Sequence, residues 1–305
     1  MATYIGLAII IAAQHELSWP FGQLFSSFWV FSAFGVFFLT PFLTLLLNLV
    51  GRRKLQLSAE AVVKTTLFCI SLPFLVAFSQ FKIVMRNFPG GNFDAEFAAL
   101  DKWMHFGVDA WVAYAPALKF LTFADASTAY HILWAAPLML GPALAISIDR
   151  NIQRRRGFWL TYLFAWVGLG NILAASFYSV GPVFYGPILN DPARYADLFV
   201  MLNDTDYAQT MFKFSVDFLL EQHLTGVSTA GAGISAFPSV HVAMATLTAL
   251  YLGSLSRWLI PFGVAYALII QIFAVLSGLH YAVDGYASAI AVLAFWLWVR
   301  KRVSG

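Results

Sequence analysis

Apolar residues run along this chain in long stretches set apart by short charged segments. A bilayer core about 30 Å thick calls for roughly 20 mainly apolar residues in a helix that crosses it. Seven stretches are read as spans, at about 24–50, 61–81, 127–148, 157–178, 238–255, 258–277 and 281–299. The segment 3–19 is ambiguous. Its cleanest apolar run is short and stops at His15 and Glu16, so an interfacial helix and an eighth span fit it equally well. The pattern predicts an all-α polytopic membrane bundle of seven to eight spans. No internal repeat and no low-complexity stretch is visible. The start of the chain lacks the basic n-region and small-residue cleavage site of a secretory signal.

Charge adds a polarity. Of the 18 Lys and Arg residues, 12 fall in GRRK at 51–54 with Lys64, DRNIQRRR at 149–156, Arg257, and RKR at 300–302. The long loops at 82–126 and 179–236 hold the rest, together with 11 of the 15 acidic residues. Short basic loops mark the cytoplasmic side, so the long loops are expected on the opposite face. Composition agrees with a membrane chain: with 60% hydrophobic and 11% charged residues there is too little charge to cover a soluble domain of this length. Aromatic residues make up 17%, as suits rings that anchor helices at both interfaces. A net charge of +3 leaves no global basic field, so no nucleic-acid partner is expected. The single cysteine, Cys69, lies in an apolar run and excludes an intrachain disulfide.

Two segments carry candidate chemistry: GISAFPSVHVA at 233–243 and SGLHYAVDGY at 277–286. His241 opens one span; the chain crosses, turns at Arg257, returns, and reaches His280 where the last span begins. Two crossings bring both histidines to one face, and YSVGP at 178–182 ends a third span there. A histidine can act as a nucleophile toward phosphorus. A second can protonate the leaving oxygen and then activate the incoming hydroxyl. Asp284 lies four residues after His280, on the same helical face, where a carboxylate fixes the tautomer of the ring. Pro238 and Ser239 read as a helix start, whose free N–H groups suit an anion. A carboxylate close to a span is costly and usually has a functional partner. Two histidines and one carboxylate also make up a metal triad. The sequence offers no further ligand and the Pro-Ser start favours an anion, so neither metal nor cofactor is expected. His131 reads equally as a hydrogen-bonded bundle residue; His15, His105 and His223 read as loop or interface residues.

At these positions the sequence resembles the type 2 phosphatidic acid phosphatase superfamily, with its P-S-x-H motif at Pro238–His241 and its H-x-x-x-D motif at His280–Asp284. The pair, in this order and one helical hairpin apart, is a specific signal, and the resemblance covers about residues 100–300. It implies a six-helix core, with His280 as nucleophile, His241 as general acid and base, Asp284 orienting His280, and Ser239 binding phosphate. It also divides the chain into N-terminal membrane helices at 1–95 and a catalytic membrane domain at 96–305.

Two departures change the expected substrate. The phosphatase branch carries K-x6-R-P before P-S-x-H, and the nearest register here puts Asn171 and Tyr178 at the Lys and Arg positions, with Pro182 later. That branch also has an Arg six residues before the nucleophile, where this chain has Ala274. Fewer cations match a singly charged phosphodiester better than a doubly charged monoester. These departures and the HYAVD sequence resemble the inositol phosphorylceramide synthase and sphingomyelin synthase branch, and GISAFPSVHVA resembles its bacterial relatives. The resemblance implies a lipid phosphotransferase of a bacterial inner membrane, its site on the non-cytoplasmic face and its partners membrane lipids. Two alternatives are a lipid phosphate phosphatase acting on phosphatidate or polyprenyl (pyro)phosphate, and a membrane transporter. Arg86, Lys102, Lys119, Arg194 and Lys213 are candidate stand-ins for the missing cations, Arg194 and Lys213 foremost. The loop 179–236 reads equally as a lid and as a structural cap, and 97–111 reads as an interfacial helix.

Overall fold

The computed structural model describes residues 2–14, 74, 77–87, 91–134, 149, 151–226 and 231–303. The predicted span at 24–50, and most of those at 61–81 and 127–148, lie outside these residues. Among the described residues helix is the sole regular structure. Three helices are long and apolar enough to cross a membrane: Ile152–Ser176, Arg257–Leu276 and Ala282–Arg302. The chain is an integral membrane protein with a helical-bundle architecture.

The helices are numbered in chain order. α1 spans Ala2–Gln14 and α2 residues 77–84; α3 spans Asp94–Met104 and α4 residues 123–134. α5 is Ile152–Ser176, with a π-helical stretch at Phe164–Leu173. α6, α7 and α8 span Pro182–Leu189, Ala196–Asn203 and Met211–Thr225. α9, α10 and α11 span Val240–Leu255, Ile260–Leu276 and Ala282–Val303.

α9 is shorter than its apolar stretch. Its 16 residues rise about 24 Å at 1.5 Å per residue. Pro238 stays outside the helix and Ser239 caps it, its side chain accepting from the Val242 N–H. α5, in contrast, begins five residues before the predicted span. The Asn151 side chain caps it by accepting the Arg154 N–H at 2.9 Å, and the basic run enters its first turns. Arg154 turns back to Asp149, with Nε and Nη2 each 2.6 Å from a carboxylate oxygen. It also donates to the Ser254 carbonyl at 3.2 Å, while the Tyr251 hydroxyl donates to Asp149 at 3.1 Å. One buried carboxylate thus clasps the start of α5 to the end of α9.

α9 packs most extensively on α10 and next on α11. A second apolar core, built from Phe158, Tyr162, Trp166, Tyr251 and Trp296, joins α5, α9 and α11. α1 lies against this body: Tyr4 stacks on Phe81 at 4.8 Å and donates its hydroxyl to Asn171.

The long loop at 179–236 is mostly helical and packs on the main core through Leu198, Leu202, Tyr207, Phe212 and Val216. Its Asp206 accepts the Phe123 and Ala124 N–H groups at 3.0 and 2.9 Å, satisfying free donors at the start of α4. At 94–111, α3 ends in a turn that leaves Trp103 and Phe106 strongly exposed, at 77% and 98%.

Candidate active site

Three segments meet at one end of the bundle: 178–183, 234–241 and 277–284. Backbone accounting explains why they stay together, since buried N–H groups need partners. The carbonyl of buried Ser179 accepts the Ala236 N–H at 2.9 Å, and its hydroxyl accepts the Phe237 N–H at 3.0 Å. The Val183 N–H reaches the Gly278 carbonyl at 2.8 Å. The Ser239 N–H reaches the Asp284 carbonyl at 3.2 Å, which sets the start of α9 against the start of α11.

At that junction the structure brings His241, His280, Asp284 and Ser239 together. The backbone N–H of His280 donates to the Ala274 carbonyl at 3.2 Å. Its ring places Nδ1 3.2 Å from Asp284 Oδ2 and Nε2 3.3 Å from Ser239 Oγ. A proton on Nδ1, held by the carboxylate, leaves the Nε2 lone pair available for attack. Asp284 is wholly buried, and its Oδ2 also accepts the Tyr281 N–H at 2.9 Å; its Oδ1 has no partner among the described residues. The His241 ring lies 5.8 Å from the His280 ring, centroid to centroid, packed against Trp134 at 4.4 Å and Tyr130 at 5.4 Å. Two imidazoles, a carboxylate bonded to one of them and a hydroxyl at a helix start are groups that phosphoryl transfer through a histidine can use.

α3 supports this junction with two carboxylates absent from the sequence-derived site. Asp94, wholly buried, accepts the Val180 N–H at 2.7 Å, the Gly181 N–H at 2.8 Å and the Tyr281 hydroxyl at 2.7 Å. Asp101, one heptad on, accepts the Val283 N–H at 3.0 Å at the start of α11. Burial pushes the Asp101 carboxyl above the usual carboxylate range, and the N–H groups of Ala282 and Val283 oppose that shift. The signal was in the sequence: Asp94, Phe97, Ala98 and Asp101 fall on one face of α3, and that face is buried. An acidic residue on an apolar stripe needs a partner, but the stripe does not say which one.

Close approach matters beneath Asp284. Gln271 on α10 donates to the Ala282 carbonyl at 3.1 Å, passing under Gly285. A Cβ at Gly285 would stand 1.6 Å from Gln271 Oε1.

The remaining predicted residues lie in other surroundings. Arg194 makes a bidentate pair with Asp109 at 2.6 and 2.9 Å and stacks over Tyr195 at 4.1 Å. Its hydrogen bonds to Asp109 push its pKa above the usual arginine value. Lys213 pairs with Asp217 at 2.6 Å, one turn along an exposed face of α8. Neither is brought into the histidine cluster. Asn171 is buried on the π-helical stretch, its Oδ1 taken by Tyr4 and its Nδ2 without a partner among the described residues. Tyr178 receives the Phe93 N–H on its carbonyl at 2.9 Å and lines a groove with Lys82, Arg86 and Gly233. Ala274 is wholly buried, and its carbonyl also accepts the Ser277 hydroxyl at 3.1 Å.

No curated protein and no solved structure matches this chain. A family model, described as the PAP2 superfamily, matches residues 95–298. That stretch runs from the second residue of α3 almost to the end of α11 and holds both histidines, Asp284 and Ser239. The chain belongs to the PAP2 superfamily, whose members are phosphatases or phosphotransferases.

Proposed function

We propose that this protein is a lipid phosphotransferase that moves a phosphoryl headgroup from a lipid phosphodiester to a lipid hydroxyl, on the non-cytoplasmic face of the membrane. The observation that carries the reading is the His280–Asp284 pair, with Nε2 of His280 directed to Ser239 and the His241 ring beside it.

In the first step Nε2 of His280 attacks phosphorus. The N–P bond forms, the bond from phosphorus to the lipid alkoxide breaks, and protonated His241 gives its proton to the departing oxygen. In the second step neutral His241 takes the proton of the acceptor hydroxyl. The new P–O bond forms, the N–P bond breaks, and both imidazoles return to their starting state. Asp284 stabilises the charge that builds on the His280 ring. The Ser239 hydroxyl donates to a phosphoryl oxygen.

The preference for a diester rests on charge. The three positions where the phosphatase branch has cations hold Asn171, Tyr178 and Ala274, and a diester needs less positive charge than a monoester. The test is a paired assay of purified protein in lipid. The reading predicts turnover of a phosphodiester lipid, with the headgroup transferred to an added lipid hydroxyl. Release of inorganic phosphate from phosphatidate, with no turnover of the diester, would establish a phosphatase instead.

A further inference from the structure

We infer that Lys82, on the N-terminal α2 and outside the family match, is the cation that holds the phosphoryl group at His280. The inference rests on the phosphoryl-transfer reading and names the group that replaces the missing Lys and Arg residues.

Four observations support it. First, α2 is fastened to the segment that carries P-S-x-H. Gly233, with φ +102°, approaches so closely that a Cβ there would lie 2.8 Å from the Lys82 carbonyl carbon and 2.9 Å from the Ile83 nitrogen. Gly233 is five residues before Pro238, so the position of Lys82 is tied to the helix start that faces the anion. Second, Lys82 lies within electrostatic range of the rings of both His241 and His280. A lysine extended away to the headgroup layer would act on neither. Third, no carboxylate lies within ion-pair distance of Lys82 among the described residues. The cations favoured by sequence position are engaged, Arg194 by Asp109 and Lys213 by Asp217. Arg86, one turn beyond Lys82, is exposed and donates to the His223 carbonyl at 3.1 Å. Fourth, Lys82 lines a groove of mixed polar and apolar character with Arg86, Tyr178, Gln222 and His223. An anion entering by that groove meets Lys82.

An ammonium within electrostatic range of two imidazoles, and with no carboxylate paired to it among the described residues, is unfavourable, and an anion bound among the three groups relieves it. One positive charge from Lys82 matches the one negative charge of a phosphodiester. The same ammonium stabilises the additional negative charge on the phosphoryl oxygens as the N–P bond forms.

The test uses full-length protein in nanodiscs, with Lys82→Gln and Lys82→Arg compared with wild type. Two readouts are taken. For whichever phospholipid the wild type turns over, diester or monoester, Lys82→Gln lowers kcat/KM by about 100-fold and Lys82→Arg recovers at least a tenth of the wild-type value. Independently of turnover, orthovanadate raises the unfolding temperature of wild type and Lys82→Arg but not of Lys82→Gln. Lys82→Gln within threefold of wild type, or with undiminished stabilisation by orthovanadate, overturns the inference while leaving the proposed reaction standing. A wild type without turnover of either lipid, yet stabilised by orthovanadate through Lys82, removes the proposed reaction and leaves Lys82 as an anion ligand. No stabilisation of wild type by orthovanadate overturns the Lys82 assignment.

Discussion

Replacing Asp94 by alanine should damage the site more than its distance from the histidines in sequence implies. The carboxylate accepts two backbone N–H groups, from Val180 and Gly181, and the hydroxyl of Tyr281, all at 2.7–2.8 Å and all buried. A hydrogen bond to a charged group contributes about 1.5–3 kcal/mol, and a buried donor left unpaired costs about 1–3 kcal/mol. These contributions are not additive, because water entering the vacated space serves more than one donor. A net destabilisation of about 3–5 kcal/mol follows. For a chain of this size that corresponds to a fall in unfolding temperature of roughly 10 °C. Turnover should fall by at least about tenfold at temperatures where the variant is still folded, because Tyr281 adjoins His280 and the turn at 178–182 loses its anchor. Tyr281→Phe provides the comparison. It leaves both backbone donors paired, so it should cost about 1 kcal/mol. In a double-mutant cycle the two changes should couple, Tyr281→Phe adding little once Asp94 is gone. Thermal unfolding in detergent and steady-state turnover measure both effects. An Asp94→Ala protein with wild-type unfolding temperature and turnover would refute the reasoning.

Three further outcomes are expected. Gly285→Ala forces Gln271 away from the Ala282 carbonyl, so it should cost about 1–3 kcal/mol in thermal unfolding, and adding Gln271→Ala should restore part of the loss. Asp284→Asn removes the charge that orients and stabilises the His280 ring, so turnover should fall by about 10²- to 10⁴-fold with a measurable residue, read against unchanged expression and unfolding temperature. At the opposite end of the bundle, burial alone would raise the Asp149 carboxyl, but hydrogen bonds from Arg154, the Asn151 N–H and Tyr251 outweigh it and hold the group below its usual range. A depressed folded-state pKa gives stability that is present above about pH 4 and lost as pH falls further; an Asp149→Asn protein should lose stability at neutral pH and show a flatter acid limb than wild type.

The sequence carried the histidine cluster further than it carried its supports. His241, His280, Asp284 and Ser239 were legible because their relations are local or set by one hairpin: a helix start, a spacing of four, and two crossings that return to the same face. The start of α5 was less legible, since Asn151 caps a helix whose apolar stretch begins five residues further on. Lys213 was readable in hindsight, because Asp217 lies one helical turn away. Arg194 was not, because its partner Asp109 is 85 residues earlier. Asp94 and Asp101 were visible as acidic residues on an apolar face, but the N–H groups they accept lie on segments that only the folded chain brings near. The packing of Gly233 against Lys82 was obscured for the same reason, since nothing local to α2 reports it.

The central claim is a phosphoryl group carried on His280. Purified protein mixed with a phosphodiester lipid labelled at phosphorus, quenched within milliseconds to seconds at alkaline pH, and mapped by proteolysis and mass spectrometry tests it directly. The account predicts label on the peptide containing His280, in acid-labile form, with none in His280→Ala, whose turnover is lower by orders of magnitude. Label on another residue, or a His280→Ala protein that turns over at a near wild-type rate, would contradict it.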